Sequence, residues 1–144
     1  MTSMNTAKHL IHEKMKNAWM KQWAESGKGR SVFKFVPAPN KNDPINQLQR
    51  AEQVIIFRLR TEHIQLNKHL NRIGVKNDAR CPLCPCPEES VAHHLYECPA
   101  LDDLRSKLLP PTPDPQNTLF GDRDQLQMTA KYHVMANGRR AKAQ

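Results

Sequence analysis

The segment from Cys81 to Cys98 constrains the fold more than any other part of the chain. Its sequence, CPLCPCPEESVAHHLYEC, places four cysteines and two adjacent histidines within eighteen positions. The C-x-x-C turn formed by Cys81 and Cys84 brings two sulfurs to one side of a tight loop, at a separation suited to one tetrahedral ion. We therefore expect this stretch, called the metal segment below, to hold a structural metal ion.

The residues after this turn supply two further candidate ligands. Residues 90–98 are predicted to form a short helix with Ser90 as its N-cap, so a histidine near its start and Cys98 just past its end can complete the site. His93 and His94 project about 100° apart on a helix, so only one of them can face the metal, and the helix geometry leaves that choice open. Three thiolates and one imidazole leave no position for water, which is typical of structural zinc.

Two alternatives to this ligand set remain. One is that Cys86 is a ligand, and the other is that the cysteines bind no metal. Cys86 could replace Cys84 as a ligand. However, the pair Cys84 and Cys86 is closer together than the usual spacer of about two to four residues, and the pair Cys81 and Cys86 would leave a cysteine inside the turn. Unmetallated free thiols or a disulfide would also account for the cysteines. The N-terminal sequence is too polar for a secretory signal, so we expect an intracellular protein in a reducing compartment, where disulfides are rare.

Charge and composition indicate a small core and a basic surface. Apolar residues make up 38% of the chain, so a metal ion would add cross-linking that a modest core lacks. The formal net charge is +8, and residues 1–80 alone carry +9, whereas the metal segment and the residues just after it are acidic. Any contacts to nucleic-acid phosphates are therefore predicted before the metal segment, at Arg58, Arg60, Lys68, Arg72 and Lys76.

The remaining patterns predict a mainly α fold with three parts. They are an N-terminal amphipathic helix in residues 1–31, a helical core with the metal segment in residues 32–108, and a proline-rich linker, last helix and basic tail in residues 109–144. Trp19 and Trp23 are predicted to be core anchors on the first helix. Residues 30–36 are predicted to form at most one short extended arm, because a single strand would have no partner.

Helix boundaries are predicted from capping residues. Asp43 is predicted to cap a helix that Pro44 opens. The next helix is expected over residues 64–73, with Gly74 at its C-terminus. Residues 119–137 are predicted to form the last helix, which Gly138 would end, leaving a frayed basic tail.

Taken in order, these motifs resemble the C-terminal tail of reverse-transcriptase polyproteins of non-LTR retrotransposons of the Jockey and I type, where the tail follows the ribonuclease H domain. The matching residues are Trp19, Trp23, Gly29-Arg30, Arg50, RLRTEH at 58–63, Leu66, Leu70, Arg72-Ile73-Gly74, Cys81, Cys84, Glu89, His93, Cys98-Pro99, Arg105 and Leu119-Phe120-Gly121-Asp122. In that family the metal histidine lies five positions before the last cysteine. The resemblance therefore implies Zn²⁺ bound by Cys81, Cys84, His93 and Cys98. The family commonly has glycine at the position of Glu62. If this position has a positive φ, glutamate would be strained there.

The resemblance implies an accessory module without catalysis. The paired aspartates of a polymerase palm and the four carboxylates of ribonuclease H are absent from the sequence. We expect a zinc-stabilised, retrotransposon-derived module that binds nucleic acid, RNA in preference to DNA. The alternative is a purely structural or protein–protein interaction module with a structural zinc. No membrane and no small-molecule substrate is expected as a partner.

Overall fold

The computed structural model describes residues 3–144, and every regular element in that range is a helix. The prediction of a mainly α fold is confirmed. Residue contacts divide the chain into two units, one ending at Asn42 and the other spanning Asp43–Gln144. The predicted boundaries after residues 31 and 108 differ from this division, because the last helix packs into the second unit. Residues 1 and 2 of the predicted N-terminal segment lie outside the described range.

The N-terminal unit consists of helices α1 (Met4–Glu25) and α2 (Arg30–Phe33). Ser3 caps α1, since its hydroxyl accepts a hydrogen bond from the backbone N–H of Thr6. None of the side chains of α1 is buried, and Trp19 is 43% exposed. The prediction that Trp19 anchors a core is therefore wrong, because α1 leaves its apolar stripe uncovered within this unit.

Trp23 packs against residues that follow it in the chain. Its ring meets Phe33 edge-on at 5.7 Å, and its Nε1 donates to the carbonyl of Val36 at 3.0 Å. Gly29 allows this return because its φ is +66°, and a Cβ there would lie 2.6 Å from the Trp23 ring. Residues 30–33 therefore form a helical turn and not the predicted extended arm.

The second unit begins with a 3₁₀ helix, Pro44–Gln47, followed by α3 (Arg50–Thr61). Asp43 caps the first of these as predicted, because its Oδ1 accepts from the N–H of Ile45 at 3.0 Å. The predicted single helix is interrupted at Leu48, whose backbone is extended and whose side chain is 6% exposed. The break turns Leu48 into the core at the start of α3.

Helix α3 ends at Glu62, which has a φ of +61°. Left-handed backbone of this kind suits glycine, so Glu62 is strained. The family resemblance, which has glycine at this position, anticipated this strain. The next helix, α4 (Asn67–Arg72), is shorter than predicted and is followed by Gly74 with a φ of +80°.

The last third of the chain contains a 3₁₀ turn (Pro99–Leu101) and three helices: α5 (Asp102–Leu108), α6 (Pro115–Thr118) and α7 (Arg123–Ala143). Helix α6 lies inside the linker that was predicted to be extended. Helix α7 passes through Gly138 and ends at Ala143, so the predictions of a helix end at Gly138 and of a frayed tail are wrong.

The core of the second unit lies where α3, α5 and α7 meet. Its fully buried side chains come from α3, α7, the turn before α5 and the metal segment; they include Ile56, Leu59, Leu95, Leu101, Leu126 and Tyr132. None of the helices in residues 3–144 is long and apolar enough to cross a membrane. This core places the metal segment against α7.

Candidate metal centre

Four donor atoms from the metal segment converge on one point. The sulfurs of Cys81, Cys84 and Cys98 and a ring nitrogen of His93 all lie within 4.8 Å of one another. Cys98 is fully buried, and Cys81 and His93 are 7% and 4% exposed. The structure therefore brings together the four residues that the resemblance implied.

The spacing of these donors fits zinc. The Sγ atoms of Cys81 and Cys98 are 3.9 Å apart, and Cys84 Sγ lies 3.3 Å from His93 Nε2. With Zn–S of about 2.3 Å and Zn–N of about 2.0 Å, a tetrahedral ion requires about 3.8 Å between two sulfurs and about 3.5 Å between sulfur and nitrogen. Four protein donors also complete the tetrahedral shell, as in structural sites.

A π-helical turn, His93–Glu97, places the last two ligands. Ser90 caps, as predicted, the helical stretch that begins at Val91 and continues into this turn, since its hydroxyl accepts from the N–H of His93 at 3.0 Å. In an α-helix, residues five apart would project about 140° from each other. Here the N–H of Cys98 donates to the carbonyl of His93 at 2.8 Å, a five-residue closure that widens the turn. The wider turn brings the side chains of His93 and Cys98 to one side.

Burial favours the neutral thiol form of two of the ligands, Cys81 and Cys98. Loss of solvation raises the pKa of the Cys81 thiol to about 12, and it also raises the pKa of Cys98. Without a cation both residues remain thiols, so zinc binding must release protons. When bound, the ion supplies the positive charge that stabilises the thiolates.

The two residues that competed as ligands lie elsewhere. Cys86 Sγ is 3.4 Å from the carbonyl of Glu88, and its own carbonyl accepts from the N–H of Cys81. His94 Nε2 lies 3.0 Å from His133 Nδ1 on α7, and burial lowers the pKa of His94 well below its ordinary value. His94 therefore serves helix packing, and Cys86 shapes the ligand turn through its backbone.

Glu89 joins the metal segment to two helices. Its side chain is 1% exposed and accepts from Arg140 Nε at 2.6 Å, from Arg140 Nη2 at 2.7 Å and from the N–H of Asn67 at 2.8 Å. These bonds fix the start of α4 and the end of α7 on either side of the metal segment. Sequence reasoning included Glu89 in the family motif but assigned it no partner.

Arg105 supports the other end of the π-helical turn; it also belongs to the family motif, and the sequence did not indicate this role. Its guanidinium is buried; Nε donates to the carbonyl of Leu95 at 2.9 Å and Nη2 to the carbonyl of Cys98 at 3.0 Å. Carbonyls at the end of a helix lack intrahelical partners, so this arginine acts as a C-terminal cap. The match of Arg105 to the family motif was the signal that the sequence offered.

The predicted phosphate-binding residues divide into two groups. Arg58, Lys68, Arg72 and Lys76 are exposed. Arg60 is 8% exposed; it donates to both carboxylate oxygens of Asp43, at 2.7 and 3.1 Å, and to a backbone carbonyl of the segment before α7. The prediction that Arg60 contacts phosphate is corrected, because its charge is already paired inside the fold.

A family described as zinc-binding in reverse transcriptase matches residues 14–104, which is more than half of the chain. The chain belongs to this family. The metal of the family is zinc, and the convergence of three thiols and one imidazole agrees with it.

One curated relative shows the genetic context of the family. The retrovirus-related Pol polyprotein from type-1 retrotransposable element R1 of Bradysia coprophila is 32% identical to this chain over 103 residues. The aligned region covers 68% of this chain but about a tenth of the polyprotein. No solved structure matches the chain. The chain is thus a zinc-binding domain related to retrotransposon reverse-transcriptase polyproteins.

Proposed function

We propose that this zinc-binding domain binds nucleic acid, RNA in preference to DNA, and performs no catalysis of its own. The observation that supports the proposal is a surface formed by Arg58, Lys68, Arg72 and Lys76, called the basic surface below. All four side chains are exposed. Phosphate contacts by such side chains release counterions, which drives binding without regard to sequence.

Three of the four cations of the basic surface lie around Ile64. Ile64 lines two neighbouring recesses, one of which also includes Arg58 while the other includes Lys68 and Arg72. Lys76 is held beside them, because its carbonyl accepts from the side chain of Asn71 on α4 at 3.0 Å. A folded scaffold therefore supports the basic surface, with zinc bracing it through Glu89 and α4.

The proposed absence of catalysis is supported by the coordination shell. Zinc sites in enzymes keep a position for water or substrate, whereas here four protein atoms fill the shell. The chain would then serve as an accessory to enzymes encoded elsewhere in a polyprotein, acting inside the cell.

A protein partner is the second candidate, and α1 favours it. Ile11, Met15 and Trp19 follow one another at intervals of four residues, and they are 59%, 68% and 43% exposed. Residues so spaced lie on one face of a helix. An uncovered apolar stripe of this kind is common where helices bind other proteins.

Fluorescence anisotropy across a salt series tests the proposal. About four phosphate contacts to a single strand give a log–log slope of affinity against salt near −3. Changing the four cations of the basic surface to glutamine should remove most of the affinity and flatten the slope. The control changes four other exposed cations, Lys107, Arg123, Lys131 and Lys142, to glutamine, with the same loss of charge. Absence of binding at low salt, or equal loss in the control, would favour the protein-partner alternative.

A further inference from the structure

A recess between α3 and α7 opens beside Arg58. Its volume is about 100 Å³, and its lining combines apolar, amide, imidazole and guanidinium groups: Ile55, Arg58, Ile64, Gln65, His133 and Asn137. A single water needs only about 15 Å³ of such space. The recess therefore has room for one planar heterocycle.

The inner part of the recess is rigid. Ile64 is 5% exposed and His133 is 8% exposed. The Nδ1 atom of His133 lies 3.0 Å from His94 Nε2, which fixes the plane of the imidazole ring. Ile55 on α3 supplies a second aliphatic wall. A flat ring entering here would meet the aliphatic side chains of Ile55 and Ile64 and the fixed imidazole ring of His133.

The rim carries groups that suit the edge of a base. The Oδ1 atom of Asn137 accepts from Arg140 Nη1 at 2.9 Å, so its Nδ2 remains available as a donor. Glu89 holds the guanidinium of Arg140 through two hydrogen bonds. Arg140 in turn holds the amide of Asn137 in place through its hydrogen bond to Oδ1. Gln65 is exposed and offers both a donor and an acceptor, the pair that matches adenine.

We propose that this recess accepts one unstacked base of a bound single strand. Ile55 and Ile64 contact the faces of the base, Gln65 and Asn137 bind its edge, and Arg58 binds the adjoining phosphate. A nucleobase has apolar faces and polar edges, whereas a bare anion has neither. The recess likewise combines aliphatic walls with amide groups at its rim. The inference rests on the proposed nucleic-acid binding and adds to it a site for the base.

The test compares oligomers of equal length with and without bases. Ten-unit oligo(A) RNA and an abasic oligomer with the same number of phosphates are titrated against the zinc-loaded full chain. We expect oligo(A) to bind about tenfold more tightly, near the low end for contacts between a base and aromatic side chains, because the walls here are aliphatic. The double variant Gln65→Leu with Asn137→Leu should bring this ratio close to one while keeping the salt slope.

The control is the double variant Gln47→Leu with Gln116→Leu, which alters two exposed amides outside the recess and should keep the tenfold ratio. Equal binding of oligo(A) and the abasic oligomer, with a normal salt slope, would overturn the base site and leave the proposed function standing. Retention of the ratio in the Gln65/Asn137 variant would also overturn the base site. Failure of both oligomers to bind would overturn the proposed function and the base site together.

Discussion

Changing Arg140 to methionine should destabilise the fold severely, although Arg140 lies only four residues from the C-terminus. Its partner Glu89 is 1% exposed, and two of the three hydrogen bonds to that carboxylate come from Arg140. Methionine preserves the aliphatic length but leaves a buried carboxylate without its counter-charge. Loss of one member of a buried pair costs about 3–5 kcal/mol, which is a large part of the stability of a typical domain.

Arg139 provides a matched control on the same helix. It pairs with Asp103 through two hydrogen bonds, but Asp103 is half-exposed, so solvent screens this pair. Arg139→Met should therefore have a much smaller effect. Urea unfolding of both variants, followed by circular dichroism at saturating zinc, measures the difference.

A third variant separates the burial of charge from the loss of packing. Glu89→Gln combined with Arg140→Met removes both charges, so it should be more stable than Arg140→Met alone. Equal stability of the Arg139 and Arg140 variants would refute this reasoning and would return the end of α7 to the frayed tail that the sequence predicted. The same result would detach the metal segment from α7.

Three further predictions concern single residues. Cys86→Ser should retain one equivalent of zinc by metal analysis, because its sulfur lies outside the donor set; loss of zinc would make Cys86 a ligand. Glu62→Gly should raise the free energy of unfolding by about 0.5–1 kcal/mol, since glycine relieves the strain at φ +61° at some entropic cost; a lower stability would contradict this. Burial lowers the pKa of His133 from 6.5 to about 4, so the unfolded chain binds its proton first as the pH falls. His133 should account for about 2 kcal/mol of stability lost between about pH 7 and 4.5, and His133→Gln should lose less over that range in urea unfolding.

The metal ligands were accessible from the sequence because they are local. Cys81, Cys84 and Cys98 lie within one segment, and the spacing of ligands in such a turn is set by covalent geometry. The family resemblance distinguished His93 from His94, and the structure places His93 at the site. The π-helical turn that orients the ligands has no comparable signature, because its side-chain pattern is also compatible with an α-helix.

The errors concern side chains whose partners are distant in the chain. Arg60 was taken for a surface cation, but Asp43 and a carbonyl 59 residues away bind it. Gly138 was expected to end a helix, yet a glycine inside a helix costs only about 1 kcal/mol. The ion pairs of Arg139 and Arg140 on the following turn offset that cost. These ion pairs produce no periodic pattern in the sequence. The charge of the arginines was therefore the only signal, and it predicted that their side chains are exposed.

X-ray absorption at the zinc edge tests the central claim most directly. The structure assigns three sulfurs and one nitrogen to the ion, from Cys81, Cys84, Cys98 and His93. The spectrum of protein purified without chelator should therefore fit three Zn–S distances of about 2.3 Å and one Zn–N distance of about 2.0 Å. Four sulfurs would place Cys86 in the shell and His93 outside it, which would contradict the ligand assignment. An oxygen ligand would show an open position, which would contradict a closed structural site.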